Sequence, residues 1–126
     1  MNGYVDHSGR AILPIEIISE LYPAGIRIDV WIDTGFTGDL VLPESIVEKL
    51  GLPVSGSVDA ILADGSRIEL NTYHCQIRWF GRDRHMEVIE NKGEVPLLGI
   101  GLLLAKELKV DYTNLVVSLE LSRKRK

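Results

Sequence analysis

Cysteine is almost missing from this chain: Cys75 is the only one, so no disulfide can form within it. No apolar run approaches the length needed to span a bilayer. Positive charge is not in excess, since 14 Lys and Arg face 18 Asp and Glu for a net charge of −4. That balance argues against nucleic-acid binding by the body of the domain. The N-terminal stretch carries Asp6 and Glu16 and no charged-then-apolar leader, so no signal peptide is expected and the expected location is cytoplasmic. Repeats, linkers and low-complexity segments are also missing.

What remains is an ordinary globular composition. A hydrophobic fraction of 45% with 25% charged residues argues against disorder. At 126 residues the chain reads as one domain, 1–126, long enough to bury a core without staples. The run Arg123-Lys124-Arg125-Lys126 predicts a basic, disordered tail at 122–126 that aids solubility.

The pattern is mostly that of β-strands. Residues 11–18 are rich in β-branched side chains, with Pro14 predicting an edge or interrupted strand because proline donates no ladder hydrogen bond. Ile26, Ile28, Val30 and Ile32 alternate with Arg27, Asp29 and Trp31, a period-2 strand with one buried face. Leu40-Val41-Leu42 is a short strand, and Pro43-Glu44 opens a short helix with Gly51 at its end. Residues 58–70 predict a hairpin around Asp64-Gly65, with positive φ at both central residues of a tight turn. Tyr73, Cys75, Ile77 and Trp79 continue with period 2 to a turn at Gly81, and 85–89 form a further strand. Leu97-Leu98 precedes Gly99, residues 102–108 read as a helix, and 110–112 and 115–121 close the chain as strands.

One motif carries chemistry. The apolar strand ending at Ile32 runs directly into Asp33-Thr34-Gly35, and a second apolar stretch follows. Downstream come the hairpin at Ala63-Asp64-Gly65, then Leu97-Leu98-Gly99 and a helix. In this order the elements resemble the retropepsin-like (retroviral-type) aspartic protease family, and residues 33–43 look closest to its small bacterial and archaeal members. The resemblance implies an all-β, closed-barrel acid-protease fold with one or two short helices, active as a C2 homodimer on polypeptide substrates. Asp33 would be catalytic and would pair with the second copy's Asp33. Thr34 would tie the two loops together and Gly35 would leave room for substrate. Phe36, Ala63, Asp64 and Gly65 would face substrate, the last three at the flap tip, and Leu98 and Gly99 would support the catalytic loop. No metal and no cofactor is implied.

The chemistry can be argued without the family. Two adjacent carboxylates share one proton and titrate as a pair, the general behaviour of an aspartic-protease dyad. The ionised partner takes a proton from water and the protonated one donates to the scissile carbonyl. The motif occurs once, so the second carboxylate must come from a second chain, and a two-fold axis supplies it. This sequence departs from the retroviral pattern at the flap tip, which carries the charge of Asp64, and at Ile100, where the retroviral group has an Arg. Those departures motivate an alternative: a catalytically weak or silent dimeric module that binds peptides or acts as a scaffold.

Other candidates carry less. Cys75 lies near His74 and His85, but on the alternating strand it falls with the apolar set and reads as a small buried residue; no spacing matches a zinc site. Trp31 is read as packing on the second sheet face. Gly99-Ile100-Gly101 lacks the further Gly or Lys-Ser/Thr of a phosphate loop.

Overall fold

The computed structural model describes residues 1–122. The run Arg123-Lys124-Arg125-Lys126, where most of the expected tail falls, lies outside the described residues. The strands are β1 (Asn2–Val5), β2 (Ala11–Ile18), β3 (Ile26–Ile32), β4 (Leu40–Pro43), β5 (Val54–Ile61), β6 (Arg67–Trp79), β7 (Arg82–Asn91), β8 (Leu97–Leu98), β9 (Lys106–Asp111) and β10 (Val116–Leu121). Two short helices, α1 (Glu44–Leu50) and α2 (Ile100–Leu103), complete the described chain. All ten strands join one sheet in the order β5-β6-β7-β4-β8-β3-β2-β1-β10-β9, and β2 also pairs with β6, so the sheet folds back on itself. No helix among the described residues is long and apolar enough to cross a membrane.

Alternation explains most of the core. On β6, Tyr73, Cys75, Ile77 and Trp79 turn inward, opposite Met86 and Val88 on β7 and alongside Val117 and Leu119 on β10. On β3, Val30 and Ile32 are buried while Arg27 and Trp31 are exposed. The largest fully enclosed side chains are leucines and isoleucines of β2, β4, β6, β8, β10 and both helices, each contributing about 1.5–3 kcal/mol by burial. Pro14 sits where β2 changes neighbours. On that side β2 pairs with β1 at Ala11 and Ile12 and with β6 from Glu16 onward, so the missing N–H falls in the gap. The other side of β2 runs along β3 without a break, Pro14 opposite Asp29.

Three local expectations are corrected. The helix expected over residues 102–108 is α2, ending at Leu103; Ala105 takes a left-handed φ of 61° and the chain turns out into β9. The 58–70 hairpin is formed by β5 and β6, but its turn spans residues 62–66. Within it only Gly65 has positive φ, and Leu62 N–H donates to the Ser66 carbonyl at 2.8 Å. The tight two-residue turn with two positive φ values occurs instead at Phe80-Gly81, between β6 and β7. Finally, β1 was not foreseen. Its Gly3 lies so close to β2 that an added Cβ would strike the Ile12 carbonyl, and the Met1 ammonium donates to the Leu119 carbonyl at 2.6 Å.

Candidate active site

The site is built where three strands meet. β8 is only two residues long, yet it runs parallel to β3 (Ile32 beside Leu98) and antiparallel to β4 (Leu40 beside Leu98). Leu98 is wholly enclosed. Its carbonyl accepts the Asp33 N–H at 2.8 Å, which fixes the main chain at the point where β3 ends. The loop of residues 33–39 is then stitched to the start of α2. Gly99 N–H donates to the Asp39 carbonyl at 2.9 Å, Ile100 N–H to the Phe36 carbonyl at 2.8 Å, and Gly101 N–H to the Gly38 carbonyl at 3.0 Å.

This crossing demands glycine. A Cβ on Gly99 would meet the Gly38 carbonyl, the Phe36 ring and, at 2.7 Å, the Phe36 carbonyl. One on Gly101 would strike the Asp39 carboxylate. The sequence-predicted set of Asp33, Gly35, Phe36, Leu98 and Gly99 is therefore brought together. The Phe36 ring packs within the crossing, against Gly38 and Gly99.

At the tip, Asp33 is half-buried while Thr34 and Gly35 are exposed. Asp33 Oδ1 accepts the Gly35 N–H at 2.9 Å, which orients the carboxylate. Among the described residues its second oxygen has no hydrogen-bond partner and no cation pairs with it. The carboxylate is thus held by the backbone with one oxygen free to face a second group. One groove of about 430 Å³ lies by Leu52, Pro53, His74 and His85, another of about 420 Å³ by Pro14, Arg27 and Arg78, and neither is lined by Asp33.

The β5–β6 hairpin projects from the body: Val54, Val58, Ile61 and Leu62 are all exposed. Ala63, Asp64 and Gly65 sit exposed in its turn. Asp64 is engaged locally. It accepts from the Ser66 hydroxyl and from the Ser66 N–H at 2.8 Å, and these bonds, the hydroxyl first, hold its carboxyl below the ordinary range.

On the second sheet face the structure also assembles Trp31, read there from the sequence, with Arg10, Tyr4 and Arg27, which sequence reasoning passed over. Trp31, two residues before Asp33, is 38% exposed, with the Arg10 guanidinium 5.5 Å above its ring. Asp6 anchors that guanidinium at 2.8 Å. Beside them the Tyr4 hydroxyl donates to Asp29 at 2.7 Å, and Arg27 pairs with Asp29 at 2.9 Å. The signal in the sequence was the alternation itself, which puts Trp31 opposite the buried Val30 and Ile32. Cys75 is buried and desolvation pushes its thiol up to about 12, the inert state expected of it. Among the described residues, no three His, Cys, Asp or Glu side chains are grouped to hold a metal ion.

No family model matches the sequence, and no curated protein sequence does. Solved structures do match the fold. A retropepsin-like aspartic protease from Rickettsia conorii superposes with a TM-score of 0.67 at 16% identity, over 96% of this chain and 89% of that one. EIAV protease, solved with an inhibitor, gives a TM-score of 0.55 at 18% identity over 78% and 88% of the two chains. Simian foamy virus protease gives 0.50 at 19% identity over 72% and 91%. The order of strands, the crossing behind Asp33 and these likenesses together show that the chain has the retropepsin-like aspartic protease fold.

Proposed function

We propose that this protein is an aspartic endopeptidase, with Asp33 of two copies forming the catalytic dyad across a two-fold axis. The observation that carries this reading is the tethered Asp33 carboxylate, with Oδ1 held by Gly35 N–H, main chain held by Leu98, and one oxygen left free at an open surface. The two carboxylates share one proton. The ionised one activates a water, the protonated one polarises the scissile carbonyl, and no covalent intermediate forms. The exposed Thr34 hydroxyl joins the two loops, the crossing at Leu98 and Gly99, packed around the Phe36 ring, supports them, and the flap at Ala63, Asp64 and Gly65 faces the substrate. The barrel closes through the β2–β6 pairing, and the protein works in the cytoplasm on polypeptides. The test is digestion of an unfolded-peptide library across acidic to neutral pH, with and without a statine-type inhibitor. Cleavage should be blocked by the inhibitor and abolished by Asp33→Asn; full activity in that variant refutes the reading.

A second reading, a dimeric peptide-binding module without hydrolysis, is favoured by the flap tip. Its carboxyl is held below the ordinary range by the Ser66 hydroxyl and N–H, which favours a charged flap tip. It requires peptide binding by the wild type with no cleavage at any pH.

A further inference from the structure

The groove of about 430 Å³ that Asp33 does not line forms where three parts of the chain meet. Its walls are the turn after β2, the exit of α1 and the outward face of β6 and β7. Its size is that of a small-ligand site.

Register builds the sheet wall. Cys75 and Ile77 turn into the core, so His74 and Gln76 turn out. Gln76 stands opposite His85 on β7 and beside Ile18 on β2. The other two walls are tied to each other and to the sheet. Ser19 N–H donates to the Tyr22 carbonyl at 3.2 Å and Tyr22 N–H to the Ser19 carbonyl at 3.1 Å, which closes the turn carrying Glu20. Leu21 of that turn lies against Gly51, where an added Cβ would meet Leu21 Cδ1 at 2.9 Å. The Pro53 carbonyl accepts the His74 N–H at 2.9 Å.

The lining is apolar below and rich in acceptors at the rim. Ile18, Pro23, Leu52 and Pro53 supply the apolar surface. Glu20, His74, Gln76 and His85 supply the polar groups, and among the described residues none of these four side chains has a hydrogen-bond partner or an ion pair. Glu87 adds a second carboxylate, opposite His74 on the same face. Among the described residues no lysine or arginine lines the groove. An anion would therefore meet carboxylates with no fixed cation to offset them.

A guanidinium meets the opposite situation. It is always charged, carries only N–H donors, and lies flat against rings such as imidazole and proline. The Glu20 carboxylate, the Gln76 amide oxygen and the acceptor nitrogen of each neutral imidazole can take its protons, while the apolar floor takes its methylene stem. Glu20, His74 and His85 are exposed, so a main chain can lie across the rim with one side chain entering. The groove also adjoins the hairpin, because β5 starts at Val54 directly after Pro53.

We propose that this groove binds an arginine side chain of an extended polypeptide. The polypeptide is the substrate, held here at a residue distant from the bond to be cut. That assignment rests on the protease reading; the arginine site itself does not.

Proton NMR of the full chain tests it, reading the imidazole signals of His7, His74 and His85 during titration with acetyl-Gly-Gly-Arg-Gly-Gly-amide. The His74 and His85 signals should shift saturably in the millimolar range while His7 stays still. The same peptide with citrulline in place of arginine keeps the shape without the charge and should not bind. Free arginine brings a carboxylate toward Glu20 and Glu87 and should bind more weakly than the peptide. Glu20→Gln, at an exposed position, should fold normally by circular dichroism and weaken binding roughly fivefold. No saturable shift, equal binding of the citrulline peptide, or a Glu20→Gln protein that binds like wild type would each overturn the proposal. Free arginine binding as tightly as the peptide would make this a small-molecule site and would overturn it too. Asp33-dependent cleavage by a protein indifferent to the arginine peptide sinks the groove alone. A protein that binds the arginine peptide through Glu20 and cleaves nothing sinks the protease reading and leaves the arginine site standing.

Discussion

Replacing Gly99 by alanine tests the crossing behind Asp33 with a single methyl group. The backbone there has φ −102° and ψ −178°, which any residue adopts, so no conformational strain is introduced. The cost is steric. The new methyl carbon would lie 2.5 Å from Phe36 Cδ2, 2.7 Å from the Phe36 carbonyl oxygen and closer still to that of Gly38, against a preferred separation of about 3.5–4.0 Å. The ring can rotate away; the two carbonyls cannot, because they accept from Ile100 at 2.8 Å and from Gly101 at 3.0 Å. Overpacking of this kind costs about 1–3 kcal/mol. Loosening one of those hydrogen bonds adds about 1 kcal/mol. The expected loss is about 2–4 kcal/mol, a large share of the ~5–15 kcal/mol typical of a domain. Urea denaturation should show it as a lower midpoint with an unchanged slope. Gly81→Ala is the control. Gly81 has φ +79° and open space, so alanine there meets only backbone strain of about 1–2 kcal/mol. If Gly99→Ala is no more destabilising than Gly81→Ala, the crossing is not the rigid support described above.

Two further outcomes follow from the electrostatics. Cys75 is buried with its thiol pushed up to about 12, so a thiol reagent should label native protein only as fast as it unfolds; rapid labelling in native buffer would contradict its placement. Asp29 is held below the ordinary carboxylate range, first by the Arg27 guanidinium and then by the Tyr4 hydroxyl. Its folded value is depressed, so the stabilisation is present above its unfolded value, near 4, and is lost as pH falls through the folded one. Thermal midpoints of wild type and Arg27→Met should therefore differ at neutral pH and converge in acid, and a constant gap would count against this assignment.

Some of this molecule could be read directly from its residues. The alternation of Ile26, Ile28, Val30 and Ile32 marked β3, and the β-branched run beginning at Ala11 marked β2, because in both cases burial on one or both faces selects the residue type. Gly51 ended α1 in a left-handed conformation, as its position suggested. Asp33 and Leu98 were each singled out, and the chain folds them together. Elsewhere local pattern misled. Leucine-rich residues 102–108 have helical propensity, but the reversal at Ala105 lets Leu108 and Val110 pack as strand residues against the core. β1 has little apolar pattern of its own, being held by main-chain pairing on both sides, with Gly3 selected by close approach. Because β1 was invisible, so was the platform of Arg10 on Trp31, which depends on Asp6 just beyond it.

β8 has a consequence for the order in which this protein is made. The two-residue strand that anchors Asp33 lies far along the chain, after β3, β4 and the long β6–β7 hairpin have been synthesised. Until Leu98 emerges, the Asp33 N–H has no strand partner, and until Gly99, Ile100 and Gly101 emerge, their hydrogen bonds to the 36–39 loop cannot form. Such distant pairings carry a loop-closure cost and form slowly. A nascent or truncated chain lacking this segment would carry the Asp33 motif without its anchor. The Asp33 carboxylate would then be positioned only after some 65 further residues have been made, a delay between making the motif and anchoring it.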